Sequence, residues 1–172
     1  MNSLNRILRR TAKVFVVVFT TPLILTACGL MPEKRIYTEI NIQAPPEKVW
    51  QVLVDNESYP SWNPYHVKVV GKLQEGAPLI VSIHKPNGAR LKIEPKVMRL
   101  DRNKELTWGG GVPGIFTGEH QFILSRNADA STHLIHKELF QGWVVPFASL
   151  EAIEEGYRRM NEALKLMVEA EK

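Results

Sequence analysis

From Arg35 to Ile42 the chain alternates: Ile36, Thr38, Ile40 and Ile42 fall on one side, Tyr37, Glu39 and Asn41 on the other. A period of two predicts a first β-strand with one buried face. Ala44-Pro45-Pro46-Glu47 stops it. Proline at a helix start with an acid in the first turn predicts a helix over 46–55, and Val49, Trp50, Leu53 and Val54 there recur at helical spacing. The next segment, Tyr59–His66, holds two prolines and three aromatics and reads as a short helix or turn packed through Trp62. Strand-and-turn units follow over His66–Leu73, Pro78–His84, Arg90–Leu100, Glu105–Gly109, Gly114–Leu124 and Thr132–Phe140. Asn87-Gly88 is a strong hairpin signal among them. With the first strand this predicts about seven strands in an antiparallel meander.

The last segment switches to a period of three and four. Phe147, Leu150, Ile153, Tyr157, Met160, Leu164, Met167 and Val168 form one stripe, opposite Glu151, Glu154, Glu155, Arg158, Arg159, Glu162 and Lys165. This predicts an amphipathic helix over 147–170, and a curved sheet is the one large partner available for its stripe. Gly156 interrupts the stripe, where glycine costs about 1 kcal/mol against alanine. That cost points to close sheet packing or to space for a ligand, and packing is the expected reason.

The N-terminal region has neither period. Residues 1–13 carry Arg6, Arg9, Arg10 and Lys13 with no acid, and Val14–Leu25 is apolar apart from Thr20, Thr21 and Pro22. Twelve helical residues span roughly 18 Å, too short for a hydrocarbon core of about 30 Å. A basic end, a short apolar run and small residues before a break make a secretory signal peptide. The break, Leu25-Thr26-Ala27-Cys28-Gly29, resembles a bacterial lipobox. That resemblance implies cleavage before Cys28 and lipidation of its thiol. The expected organisation is residues 1–27 as signal, 28–34 as tether and 35–172 as a single domain. The expected location is the bacterial cell envelope, on a membrane, outside the cytoplasm.

Charge changes meaning on this reading. The 172-residue chain has 22 Lys+Arg and 18 Asp+Glu, a formal charge of +4. Loss of residues 1–27 removes four bases and no acid, leaving 18 of each. A neutral domain gives no electrostatic ground for a nucleic-acid partner. One cysteine excludes an intramolecular disulfide and a thiolate metal cage.

The order strand, helix pair, antiparallel strands, long C-terminal helix resembles the helix-grip fold of the START and birch-pollen-allergen superfamily, in its polyketide cyclase/dehydrase-like branch. APPEKVWQVLVD followed by YPSWNP (Ala44–Pro64) resembles that branch's first-helix signature. GEHQFIL (Gly118–Leu124) and THLIHKELFQGW (Thr132–Trp143) resemble its last two strands, and GYRRMNEALK (Gly156–Lys165) the end of its long helix. The resemblance implies an α+β fold, with a curved sheet of about seven strands wrapped around the C-terminal helix and an apolar cavity between them. Lipid and sterol binders, hormone receptors, chaperone activators and aromatic cyclases share that fold, so function has to be argued from the site.

The last two strands carry the candidate chemistry. His120, Phe122 and Leu124 share one face, as do Leu134, His136, Glu138 and Phe140. Pairing around the Arg126–Ser131 turn places His120 opposite or near Glu138. Three readings stand: a buried structural pair or a solvated face, contacts that orient a ligand's polar end, or an acid–base pair of cyclase or dehydratase type with His120 and Glu138 as the catalytic candidates. His120, Phe122, His136, Glu138, Trp108, Trp62 and Tyr157 are the candidate ligand-binding residues. Trp50, Tyr65 and Trp143 are further aromatics that core packing explains as readily. His133 and His136 point to opposite faces, His66 and His84 stand isolated, and no set of metal ligands converges. Gly109–Gly114 matches G-x-G-x-x-G but contains a proline and leads into a strand, so it reads as a flexible rim or turn rather than a dinucleotide loop. No cofactor is expected. The expected function is a membrane-anchored lipoprotein that binds a small hydrophobic or lipid-like ligand, with an enzyme or a non-catalytic envelope interaction protein as alternatives.

Overall fold

A computed structural model describes residues 30–170. The signal segment and Cys28 lie outside them. The elements are β1 (Glu33–Ile42), α1 (Pro46–Val54), α2 (Tyr59–Trp62), β2 (His66–Val70), β3 (Ile80–His84), β4 (Arg90–Ile93), β5 (Lys96–Asp101), β6 (Glu105–Val112), β7 (Phe116–Arg126), β8 (Thr132–Gln141) and α3 (Ile153–Ala170). They form two antiparallel sheets, β1-β8-β7-β6-β5 and β2-β3-β4. A single bridge, Pro78 to Lys96, links them. The helix-grip reading holds, with α3 as the gripped helix.

The architecture differs from the sequence expectation in four places. Arg90–Leu100 is two strands, because Pro95 has no N–H to continue a ladder, and the chain there passes from one sheet to the other. The count among the described residues is therefore eight. The glycine run is mostly strand rather than turn: β6 continues to Val112 and pairs with β7 through Gly111 opposite Thr117, and only Gly114 lies in the turn that follows. A Cβ at Gly111 would lie 2.1 Å from the Phe116 carbonyl oxygen, and its φ of +115° also requires glycine. The long helix starts at Ile153, not Phe147. Ala152 sits at φ +61°, which ends any helical run, so Val145–Phe147 forms a separate 3-10 turn. Finally, α2 packs through Tyr59, fully buried, whose hydroxyl donates to the Leu53 carbonyl at 2.7 Å. Trp62 lies edge-on against it, half-buried.

The core sits between the five-stranded sheet and α3. The helix buries Ile153, Tyr157, Met160, Leu164 and Val168, and each large apolar side chain contributes roughly 1.5–3 kcal/mol on burial. Asn161 is the polar member of this stripe and is also buried. Gly156 faces the ring of Tyr65: a Cβ there would come within 2.1 Å of its Cδ2. The glycine makes room for a tyrosine from the small sheet's end. Among the described residues no helix is long and apolar enough to cross a membrane.

Candidate functional site

Strand register builds the site. Trp108 pairs with His120, His120 with Glu138, and Glu138 with Ile36, giving one row across β6, β7, β8 and β1. Two residues along, Leu106, Phe122, His136 and Thr38 form the next row. Period-two alternation puts both rows on the core face under α3. His120 therefore lies opposite Glu138, as the turn at Arg126–Ser131 predicts.

The imidazoles do not meet the carboxylate. His120 Nε2 lies 2.7 Å from His136 Nε2, and His136 Nδ1 lies 2.8 Å from Asn161 Oδ1. Asn161 Nδ2 donates to Thr38 Oγ1 at 3.0 Å, and that hydroxyl donates to the His136 carbonyl at 2.9 Å. This orientation fixes the protons. Asn161 Oδ1 accepts, so His136 carries its proton on Nδ1. Its Nε2 is then bare and accepts from His120 Nε2–H. The Nδ1 of His120 is left as a bare acceptor with no partner among the described residues.

A third histidine joins them. His66, expected to stand isolated, has its ring centre 5.0 Å from His120 and 6.4 Å from His136. Asn63 explains its position: the side-chain oxygen accepts from the N–H groups of Tyr65 and His66 at 3.0 and 2.9 Å and so turns both inward. His66 Nδ1 is likewise buried without a partner. His120 stacks on Trp108, with rings 4.7 Å apart and 8° from parallel, and His136 stacks on Tyr157 at 3.8 Å. Burial holds all three imidazoles neutral. It lowers His66 to about 3, and lowers His120 and His136 well below their ordinary value, aided by the neighbouring histidines. Among the described residues no three His, Cys, Asp or Glu side chains are arranged to hold a metal.

Glu138 pairs instead with the hydroxyl of Tyr157, which donates to its Oε2 from across the helix–sheet space. Burial pushes the Glu138 carboxyl up to about 7, against the Tyr157 hydroxyl and the charge of Lys85, which both favour the ionised form. Lys85 is itself buried, and its Nζ donates to the Ser149 carbonyl at 2.5 Å.

These groups border a cavity of about 220 Å3. Its walls are Ile83, Leu91, Ile93, Phe116, Phe140 and Leu150, with Lys85, Glu138, His66 and His120 as polar members beside Trp108, Tyr65 and Tyr157. A second lobe of about 210 Å3 shares Ile93, Trp108, Phe116, Glu138 and Phe140 and runs along Gly109–Gly111, where the two sheets part. Of the candidate ligand contacts, His120, Glu138, Trp108 and Tyr157 reach the wall. His136 and Phe122 are fully buried behind it, and Trp62 lies away from it. Trp50 is in the core and Trp143 is exposed. Sequence reasoning missed His66, Lys85 and Asn161. Asn161 had a signal, being one polar residue inside the stripe of α3. Lys85 had none.

Residues 33–169 match the family described as polyketide cyclase / dehydrase and lipid transport. The chain belongs to that family. Solved structures resemble this polyketide cyclase/dehydrase family member at the level of fold. Ara h 8.0201 is 15% identical, with a TM-score of 0.61 over 81% of this chain and 99% of its own. Protein MLL2253 from Mesorhizobium loti is 21% identical, with a TM-score of 0.61 over 81% and 99%. DynU16, from the dynemicin biosynthetic locus, is 16% identical, with a TM-score of 0.62 over 82% of this chain and 49% of its own. No curated protein matches the sequence.

Proposed function

We propose that this polyketide cyclase/dehydrase family protein is an envelope lipoprotein, anchored through Cys28, that holds a small and mostly apolar molecule between its sheet and α3. The observation that supports the binding part of this reading is the cavity itself: apolar walls with a few polar groups among them. Its two lobes together fall within the roughly 300–1,000 Å3 of small-molecule sites. That size suits a ring system or a short acyl chain rather than an intact diacyl lipid. The Glu138 carboxyl on the cavity wall accepts hydrogen bonds, so the ligand's polar end carries a donor such as a hydroxyl. Burial of its apolar part supplies about 25 cal/mol per Å2 before entropic costs. The test is thermal unfolding with a series of hydroxylated and methoxylated aromatic and short-chain compounds. A rise in melting temperature with the hydroxylated members, lost in Ile93→Trp, supports it. No rise with any member contradicts it.

One observation favours a second reading. A carboxyl that titrates near 7 is suited to general acid–base work, because both its forms are populated at neutral pH. Glu138 then moves the proton in a cyclisation or dehydration, and Tyr157 positions it. Turnover that survives Glu138→Gln contradicts this.

A further inference from the structure

The β6–β7 hairpin and the chain after β8 end side by side. The Trp143 N–H donates to the Gly114 carbonyl at 3.1 Å and the Val144 N–H to that of Ile115 at 3.0 Å. Five apolar side chains on these two segments are exposed: Val112, Ile115, Trp143, Val144 and Phe147, with Trp143 at 59% and Phe147 at 86%. Single exposed apolar residues are ordinary, but a group on two joined loops marks a contact surface. The segment leading into β1 is at the same place, because the Gly142 N–H donates to the Pro32 carbonyl at 3.0 Å. Pro32 stands four residues after Cys28. Four extended residues reach at most about 14 Å. A lipid on Cys28 would thus keep Pro32 within about 14 Å of the membrane that receives the lipid.

We propose that this rim is seated in the headgroup–acyl boundary of a lipid bilayer. The inference rests on the reading of Cys28 as lipidated. Trp143 suits that depth, since its amphipathic ring is of the kind that collects at membrane interfaces, and Phe147 adds apolar surface for burial there. The same loop continues into Ala148, Ser149 and Leu150, which line the cavity, and Phe116 lines it from the hairpin. Seating the rim therefore brings the cavity's loop wall to the membrane surface. An apolar ligand then passes between bilayer and cavity without crossing open water.

The test uses full-length protein extracted from bacterial membranes and reconstituted into phosphatidylcholine–phosphatidylglycerol vesicles with acyl chains brominated near the carbonyl. The expected result is quenching of tryptophan emission, most of it lost in Trp143→Phe and in Phe147→Asp, while both variants still float with the vesicles and melt like the wild type. Equal quenching in wild type and Trp143→Phe, or none in a wild type that floats, overturns the proposal. The mass of the Cys28 peptide reads the anchor separately. An unmodified cysteine overturns the anchoring, whereas a diacylglyceryl cysteine without Trp143-dependent quenching overturns the rim alone.

Discussion

His120 and His136 meet Nε2 to Nε2 at 2.7 Å, with Asn161 holding the far side of His136. The proton order that follows is directly observable. Nitrogen-15 NMR should show His136 as the Nδ1–H tautomer and His120 as the Nε2–H tautomer at neutral pH. Asn161→Ala leaves His136 Nδ1 buried without a partner and removes the donor to Thr38 Oγ1, so it should destabilise the fold by about 1–3 kcal/mol in urea unfolding and scramble both tautomers. An Nε2–H proton on His136 in the wild type contradicts the assignment.

Gly156→Ala sets two effects against each other. Alanine favours the helix by about 1 kcal/mol. Its Cβ, however, falls 2.1 Å from Tyr65 Cδ2, inside a packed ring contact. Overpacking of this kind costs typically about 1–3 kcal/mol, and more where the neighbour is rigid. The clash should win, giving a lower unfolding midpoint. Adding Tyr65→Leu should recover much of the loss, and an unchanged midpoint for Gly156→Ala alone would refute the packing role.

The three buried histidines make the fold acid-sensitive. Their imidazoles stay neutral in the native state, while in the unfolded chain each titrates near its ordinary value. As pH falls through about 6.5, the unfolded state binds protons that the native state refuses, so stability is lost. Glu138 acts in the opposite sense. Its native carboxyl titrates near 7, above its unfolded value, so its contribution is present at low pH and lost as pH rises through 7. Three imidazoles outweigh one carboxyl. Urea midpoints should fall between about pH 6.5 and 5, and His66→Phe should flatten that slope. A midpoint that stays level or rises on acidification contradicts the neutral cluster.

Tyr157→Phe removes a hydrogen bond that favours the ionised form of Glu138. The Glu138 carboxyl should therefore titrate higher still, read by carbon-13 NMR of labelled glutamate. A downward shift would show that the hydroxyl does not donate to it.

Much of this site was legible because β-strand alternation and one turn determine it. The Arg126–Ser131 turn places His120 opposite Glu138. The stripe of α3 brings Tyr157 over them. What escaped depends on longer-range geometry. His66 comes from a strand of the other sheet, and its ring reaches His120 only because the two sheets curl around the same helix. Lys85 enters the cavity wall from the turn after β3 and is held by a carbonyl of a loop 64 residues away. The glycine run misled because glycine usually marks a turn. Here it lets β6 and β7 approach closely. Pro95 was a visible break within Arg90–Leu100, and its missing N–H explains the eighth strand.

The central claim is that the cavity holds a small apolar molecule with a hydrogen-bond donor. Native mass spectrometry of the protein taken from its own membranes tests it most directly. The account predicts one bound small molecule per chain in the wild type, depleted in Ile93→Trp, which fills the wall shared by both lobes. A wild type that carries no bound small molecule, or an Ile93→Trp variant that carries as much as the wild type, would contradict it.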